Sequence, residues 1–203
     1  GVSVGPDGAT HQALEDIAMM RVLPRMTVIS PCDATQTMIA TEKAILECVG
    51  PVYLRFGREP RPDFTDVNQD FVIGKGQILK EGKDICIIAT GHEVWESILA
   101  AQRLENEGRS VMVVNIHTIK PLDEQLLLEI ADRFSTVFTV EEHQIIGGLG
   151  GAVAEFFSEN HPVRVVRIGM NDTFGESGQP EELIHHFKLD ADGIYEKIVS
   201  SLL

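Results

Sequence analysis

Positive charge is scarce in this chain: seventeen lysines and arginines stand against thirty-one aspartates and glutamates in 203 residues, for a formal net charge of −14. Such a surface repels nucleic acid and anionic membranes over most of its area, so a phosphorylated small molecule would need a local basic pocket. Cysteine is sparse too. Cys32, Cys48 and Cys86 make an odd set with no C-x-x-C pair, which suggests neither a disulfide framework nor a zinc site and makes reduced intracellular thiols the expectation. No apolar run reaches membrane-spanning length, and no charged start leads into an apolar stretch with a small-residue cleavage site. The expected location is therefore the cytoplasm. Repeats and low-complexity segments are lacking, as is an initiator Met, and Gly1-Val2-Ser3-Val4 reads as the end of a strand whose earlier part is cut away.

What is present suffices for a real core, since 43% of the residues are hydrophobic and 24% charged. Strand and helix patterns alternate, which implies parallel pairing and an α/β fold. Thr27 to Ser30 and Val52 to Phe56 read as strands, and Asp33 to Val49 as a helix through Met38, Ile39, Ile45 and Leu46. From Gly57 to Asp70 the sequence is polar and proline-bearing without periodicity, a linker. Beyond it come strand 84–89, helix 93–107, strand 111–116, helix 123–134 and strand 136–140. A glycine-rich turn at 147–151 opens a helix to about 158, strand 163–168 follows, and helices near 180–187 and 191–200 close the chain. The expectation is a partial α/β domain over residues 1–70 followed by a doubly wound, mostly parallel-sheet domain over 71–203.

Gly5-Pro6-Asp7-Gly8-Ala9-Thr10-His11-Gln12 concentrates two glycines, a proline, a carboxylate and an imidazole in one tight loop. The glycines permit backbone forms closed to other residues, Pro6 fixes a dihedral, and Asp7 and His11 can then face one ligand. The loop runs into a helical pattern, Gln12 to Met20, whose free N–H groups would point the same way. The alternative is an ordinary turn, with Thr10 as N-cap and Asp7 bonding its own backbone. Arg55-Phe56-Gly57-Arg58 ends a strand at the domain's edge, where open α/β sheets bind ligands, and a guanidinium fork suits phosphate oxygens. The turn Gly147 to Gly151 lacks the Gly-Lys-Ser/Thr ending of a phosphate-binding loop and fits helix packing better. Phe174 is expected to be buried, Glu176 to cap the next helix, and Met19, Met20, Met26 and Met38 to fill the core. The seven histidines show no metal spacing, and His185-His186 suits a surface or helix end.

The first loop resembles the G-x-D-G-x-T-H-Q loop of the transketolase family, with Arg21-Val22-Leu23-Pro24 and Pro31-Cys32-Asp33 at the family's spacing. Thr173-Phe174-Gly175-Glu176-Ser177 with Pro180-Glu181-Glu182-Leu183 resembles its T-F-G-E-S-x-x-P-x-E-L-L signature. The resemblance covers essentially the whole chain, as the end of a pyrimidine-binding domain plus the C-terminal domain. It implies transfer of a two-carbon ketol unit from a ketose phosphate to an aldose phosphate, with thiamine diphosphate as electron sink and a divalent metal, Mg or Ca. By the same resemblance, Asp7 and His11 contact the donor's hydroxyls and move protons, Arg58 holds the substrate phosphate, and Arg55 assists it or pairs with a nearby acid. The glutamate and aromatics that hold the aminopyrimidine, and the diphosphate and metal ligands, lie elsewhere in such enzymes. The resemblance thus implies an N-terminal partner half, fused or separate, within a homodimer or heterotetramer, and a chain that is inactive alone. Deoxyxylulose phosphate synthase and the pyruvate dehydrogenase beta subunit are similar, but the T-F-G-E-S signature favours transketolase. A reading of another class is a non-catalytic dimerisation or binding module.

Overall fold

The computed structural model describes residues 1–202. It opens with a turn of 3-10 helix, Val2–Val4, where a strand end was expected. Val2 is wholly buried, and the chain must reverse at Gly5, whose φ of 83° a strand could not accommodate. Helix α1 (Asp16–Val22), strand β1 (Thr27–Ile29), helix α2 (Ala34–Glu47) and strand β2 (Val52–Leu54) follow. Then come β3 (Gln77–Lys80), β4 (Ile85–Ala89), α3 (Glu93–Asn106), β5 (Val111–Asn115), β6 (Thr118–Lys120) and α4 (Glu124–Ala131). The remainder is β7 (Thr136–Gln144), α5 (Leu149–Asn160), β8 (Arg164–Met170), α6 (Pro180–His186) and α7 (Ala191–Leu202).

The larger sheet has the order β3-β5-β4-β7-β8, parallel except for β3 against β5. Its inner strands β5, β4 and β7 are buried on both faces, as strands covered by helices on either side must be. Ile85, Ile87 and Ala89 of β4 pack with α3, α6 and α7, while Cys86 and Ile88 of the same strand pack with α4 and α5. Each fully buried isoleucine contributes roughly 1.5–3 kcal/mol, so this double cover is the main support of the fold. The result is α/β and doubly wound.

A smaller sheet has the order β2-β1-β6, with β1 parallel to β2 and antiparallel to β6. Strand β6, unforeseen in the sequence, thus ties the second part of the chain to the first. The polar stretch 57–70 forms no helix or strand but is pinned. The Asp33 carboxylate accepts from the N–H groups of Phe64 and Thr65 at 3.0 and 2.7 Å and also caps α2. Phe64 lies on Trp95, with centroids 5.5 Å apart.

Two packing expectations are corrected. Met38 is exposed, as are Ile45 and Leu46, because α2 turns Gln36 and Ala40 inward instead, and Met19 is exposed because α1 turns Asp16 and Ile17 inward. Met20 and Met26 do pack on the core. No helix among the described residues is long and apolar enough to cross a membrane.

Candidate active site

Residues 5–12 form a compact knot: Gly8 N–H donates to Gly5 O, and His11 and Gln12 N–H both donate to Gly8 O, at 3.0 to 3.2 Å. The glycines are buried while Asp7 and His11 face outward. Gln12 is the peg. Its buried amide donates to the carbonyls of Val2, Gly5 and Glu176, the last at 2.8 Å. The T-F-G-E-S stretch therefore has a mechanical role, bracing the loop from more than 160 residues away in sequence. A methyl on Gly8 would lie 2.4 Å from Ser177 Oγ, and one on Gly5 2.9 Å from Pro180 Cγ.

Several expectations for this region change. Helix α1 begins at Asp16, with Glu15 rather than Thr10 at its cap, so its free N–H groups do not converge on Asp7 and His11. The buried side chains of Gln12 and Leu14 hold residues 12–15 in an irregular course. Thr10 Oγ1 instead lies 2.9 Å from His11 Nδ1. Phe174 is 81% exposed, because Gly175 packs flat on Gln12 and turns the preceding side chain outward. Glu176 approaches His186 at 3.7 Å, and the cap of α6 is a reciprocal pair, Gln179 with Glu182. His185 sits 2.6 Å from Asp190 and, like His186, is exposed.

His11, Arg55 and Arg58 line one cleft of about 380 Å³, together with Tyr53, Asp16, His92 and Glu142. Asp7 joins them through Arg58, whose Nη1 lies 2.6 Å from Asp7 Oδ2. That hydrogen bond holds the Asp7 carboxyl below its ordinary range. Both partners are substantially exposed, so water competes for the pair and it can open to another anion.

Arg55 is placed differently. It is nearly buried, its Nε donates to Asp16 Oδ2 at 2.8 Å, and its Nη2 donates to Glu142 O at 2.9 Å. Tyr53 O–H donates to the same Asp16 oxygen at 2.7 Å. Burial opposes the charge on Asp16, yet Arg55 and Tyr53 outweigh it and hold the carboxyl low. Of the two options for Arg55, pairing with a nearby acid is what the geometry displays: it fastens the end of β2 to the start of α1 and the end of β7.

The Gly147 turn is filled from within. Leu149 and Gly150 N–H groups donate to the Glu141 carboxylate at 2.6 and 2.8 Å, and Arg21 donates to Gly147 O at 2.6 Å. Burial pushes the Glu141 carboxyl up to about 7, against the pull of those N–H groups. The first N–H groups of α5 are thus occupied by the protein, in keeping with a packing role.

Asp16, Tyr53, His92 and Glu142 were not singled out from sequence. Glu142 follows the helix-capping Glu141, and His92 follows Gly91 at the end of a strand, where α/β sheets take ligands. That position was the available signal.

The model of "Transketolase, C-terminal domain" matches residues 74–194, and that of "Transketolase, pyrimidine binding domain" matches residues 1–62. A putative transketolase C-terminal section of Methanocaldococcus jannaschii is 44% identical over all of this chain and 64% of that protein. A 6-deoxy-6-sulfo-D-fructose transketolase subunit of a Clostridium strain is 42% identical over 96% of this chain and 60% of that protein. Several 1-deoxy-D-xylulose-5-phosphate synthases are 36 to 40% identical, over 31 to 32% of their own length. A solved structure described as a split-gene transketolase, inactive beta4 tetramer, superposes with a TM-score of 0.91 at 45% identity, over 96% of this chain and 64% of that one. The chain thus spans less than two thirds of the length of these split transketolase relatives. Matched in order to both of the family's named domains, it belongs to the transketolase family.

Proposed function

We infer that this chain is the C-terminal portion of a transketolase, divided near residue 70, and that it transfers a two-carbon ketol unit between sugar phosphates only when joined by an N-terminal half. The observation that carries the reading is the exposed Arg58–Asp7 pair in the cleft that also holds His11. A guanidinium half released from a surface carboxylate can take a phosphate bidentately, which leaves Asp7 and His11 to hold the sugar's hydroxyls and pass protons. Arg55 acts as a strut beneath them.

The donors of this chain do not fit a diphosphate and its divalent metal. Asp7 is engaged by Arg58, Asp16 by Arg55 and Tyr53, and Glu142 by Ser3 N–H. Among the described residues no group of three His, Cys, Asp or Glu is placed to hold a metal ion. Thiamine diphosphate and its metal therefore fall to the partner half in this reading, which favours a heterotetramer or a fused homodimer over a chain that works alone.

Arg58→Ala in the assembled enzyme tests it. Loss of a charge-assisted contact worth roughly 1.5–3 kcal/mol lowers kcat/KM about 10- to 150-fold for a phosphorylated ketose and leaves hydroxypyruvate nearly unaffected. Equal losses on both donors, with a lower Tm, would remove Arg58 from the site. A second reading, deoxyxylulose phosphate synthesis, is favoured by the similarity to those synthases. The product formed from pyruvate and glyceraldehyde 3-phosphate separates the two.

A further inference from the structure

The larger sheet reverses its strand order beside β4: the chain goes from β4 outward to β5 and returns on the other side to β7. Ligands of open α/β sheets bind at the carboxyl ends of strands that part in this way. Here those ends carry Gly91 and His92 after β4, and Glu142 within the end of β7. All three line the cleft that holds His11 and Arg58, so the switch point of the second part of the chain opens onto the loop and strand end of the first.

His92 is the side chain at this junction without an assigned task. A methyl on Gly57 would fall 2.0 Å from its Cε1, so the ring lies flush against the residue preceding Arg58. Its Nδ1 is buried without a hydrogen-bond partner, 3.9 Å from Glu142 Oε2. Its Nε2 makes no hydrogen bond either but is not fully enclosed, which makes it the ring nitrogen open to the space that His92 lines. The same ring lines a neighbouring cavity of about 430 Å³ with Arg58 and Arg61, and so forms the partition between the two.

We propose that His92 is a further substrate-binding residue, contributed by the second part of the chain, whose Nε2 hydrogen-bonds to the phosphorylated end of the sugar held by Arg58. The proposal rests on the ketol-transfer reading above. Burial lowers the imidazole's pKa and favours its neutral form, opposed in part by Glu142. A neutral ring can present one N–H to a phosphate oxygen without being charged first. Its contact with Gly57 holds it at a fixed distance from the arginine, and that rigidity makes it a selector of substrate rather than a loose counter-charge.

The test uses the enzyme assembled with its N-terminal half, with fructose 6-phosphate and hydroxypyruvate as alternative donors. His92→Phe keeps the ring's packing on Gly57 but removes the nitrogen. It should raise KM for the phosphorylated donor about 10-fold, the value of one hydrogen bond to a charged group, with kcat within about 2-fold and hydroxypyruvate unchanged. His92→Gln, whose amide reaches the position of Nε2, should recover most of that loss, while both variants melt like the wild type. Equal effects on the two donors, or none on either, would overturn the proposal. Should the wild-type assembly transfer no ketol units, the functional reading fails, and inorganic phosphate still decides the matter for His92. A shift of its ring resonance on phosphate titration, lost in Arg58→Ala, supports the site, and an unmoved resonance refutes it.

Discussion

Replacing Gly5 by alanine tests how the loop that carries Asp7 and His11 is held. Gly5 has φ 83° and ψ −123°, a region that lies outside the left-handed helical well and is used almost solely by glycine. Forcing a side chain there costs roughly 1–3 kcal/mol. The new methyl would also meet Pro180 Cγ at 2.9 Å and Cδ at 3.0 Å. A proline ring at the start of α6 cannot rotate away, so strain at the lower end of the overpacking range, about 1 kcal/mol, is added. The expected destabilisation is about 2–4 kcal/mol, which for a chain of this size lowers Tm by about 4–16 °C. Urea unfolding followed by circular dichroism measures it, with Pro180→Ala and the double variant completing a cycle. The double variant should recover the steric share and retain the backbone share. If Gly5→Ala stays within about 0.5 kcal/mol of the wild type, the loop is not clamped between its own turn and α6, and the reasoning fails.

Two further outcomes are expected. His11→Ala in the assembled enzyme should lower turnover by about 10²-fold or more while cofactor affinity changes little, because its contacts strengthen as the reaction proceeds; a loss confined to cofactor affinity contradicts the role. Glu141, raised by burial from 4.5 to about 7, binds a proton more tightly folded than unfolded. Its contribution to stability is intact below about pH 4.5 and is lost as pH rises to about 7, by about 3 kcal/mol at ~1.36 kcal/mol per pH unit. Glu141→Gln lacks this loss, so the stability difference between variant and wild type should grow in the variant's favour across that window. Parallel pH profiles would refute it.

The layers around the larger sheet were legible because strands buried on both faces leave continuous apolar runs, as in Ile85 to Ala89, and half-buried helices leave a helical period, as in Leu126 to Ala131. Strand β6 was not, since three residues beside a proline carry no periodicity and pair through the backbone with β1. The apolar spacing of Met38, Ile45 and Leu46 located α2 but not its inward face, which Gln36 takes by hydrogen-bonding Cys32 N–H and Asn115. Asp7, His11 and Arg58 could be picked out locally because their neighbours are glycine and proline or the end of a strand. Arg55 stood out with them as a residue able to pair with an acid, but its partners Asp16 and Glu142 did not, nor did the reach of Gln12 to Glu176 or of His92 to Gly57, all contacts across the fold. Phe174 was misplaced for the same reason, since what decides its exposure is the packing of Gly175 on a distant glutamine.

The central claim, that this chain holds the sugar-binding side of a shared site and leaves cofactor and metal to a partner, is tested most directly by calorimetric titration with thiamine diphosphate and magnesium. The chain alone should bind the cofactor no tighter than millimolar, and the mixture with an N-terminal transketolase half should bind it at micromolar concentration and transfer ketol units. Micromolar binding by the chain alone would contradict the account.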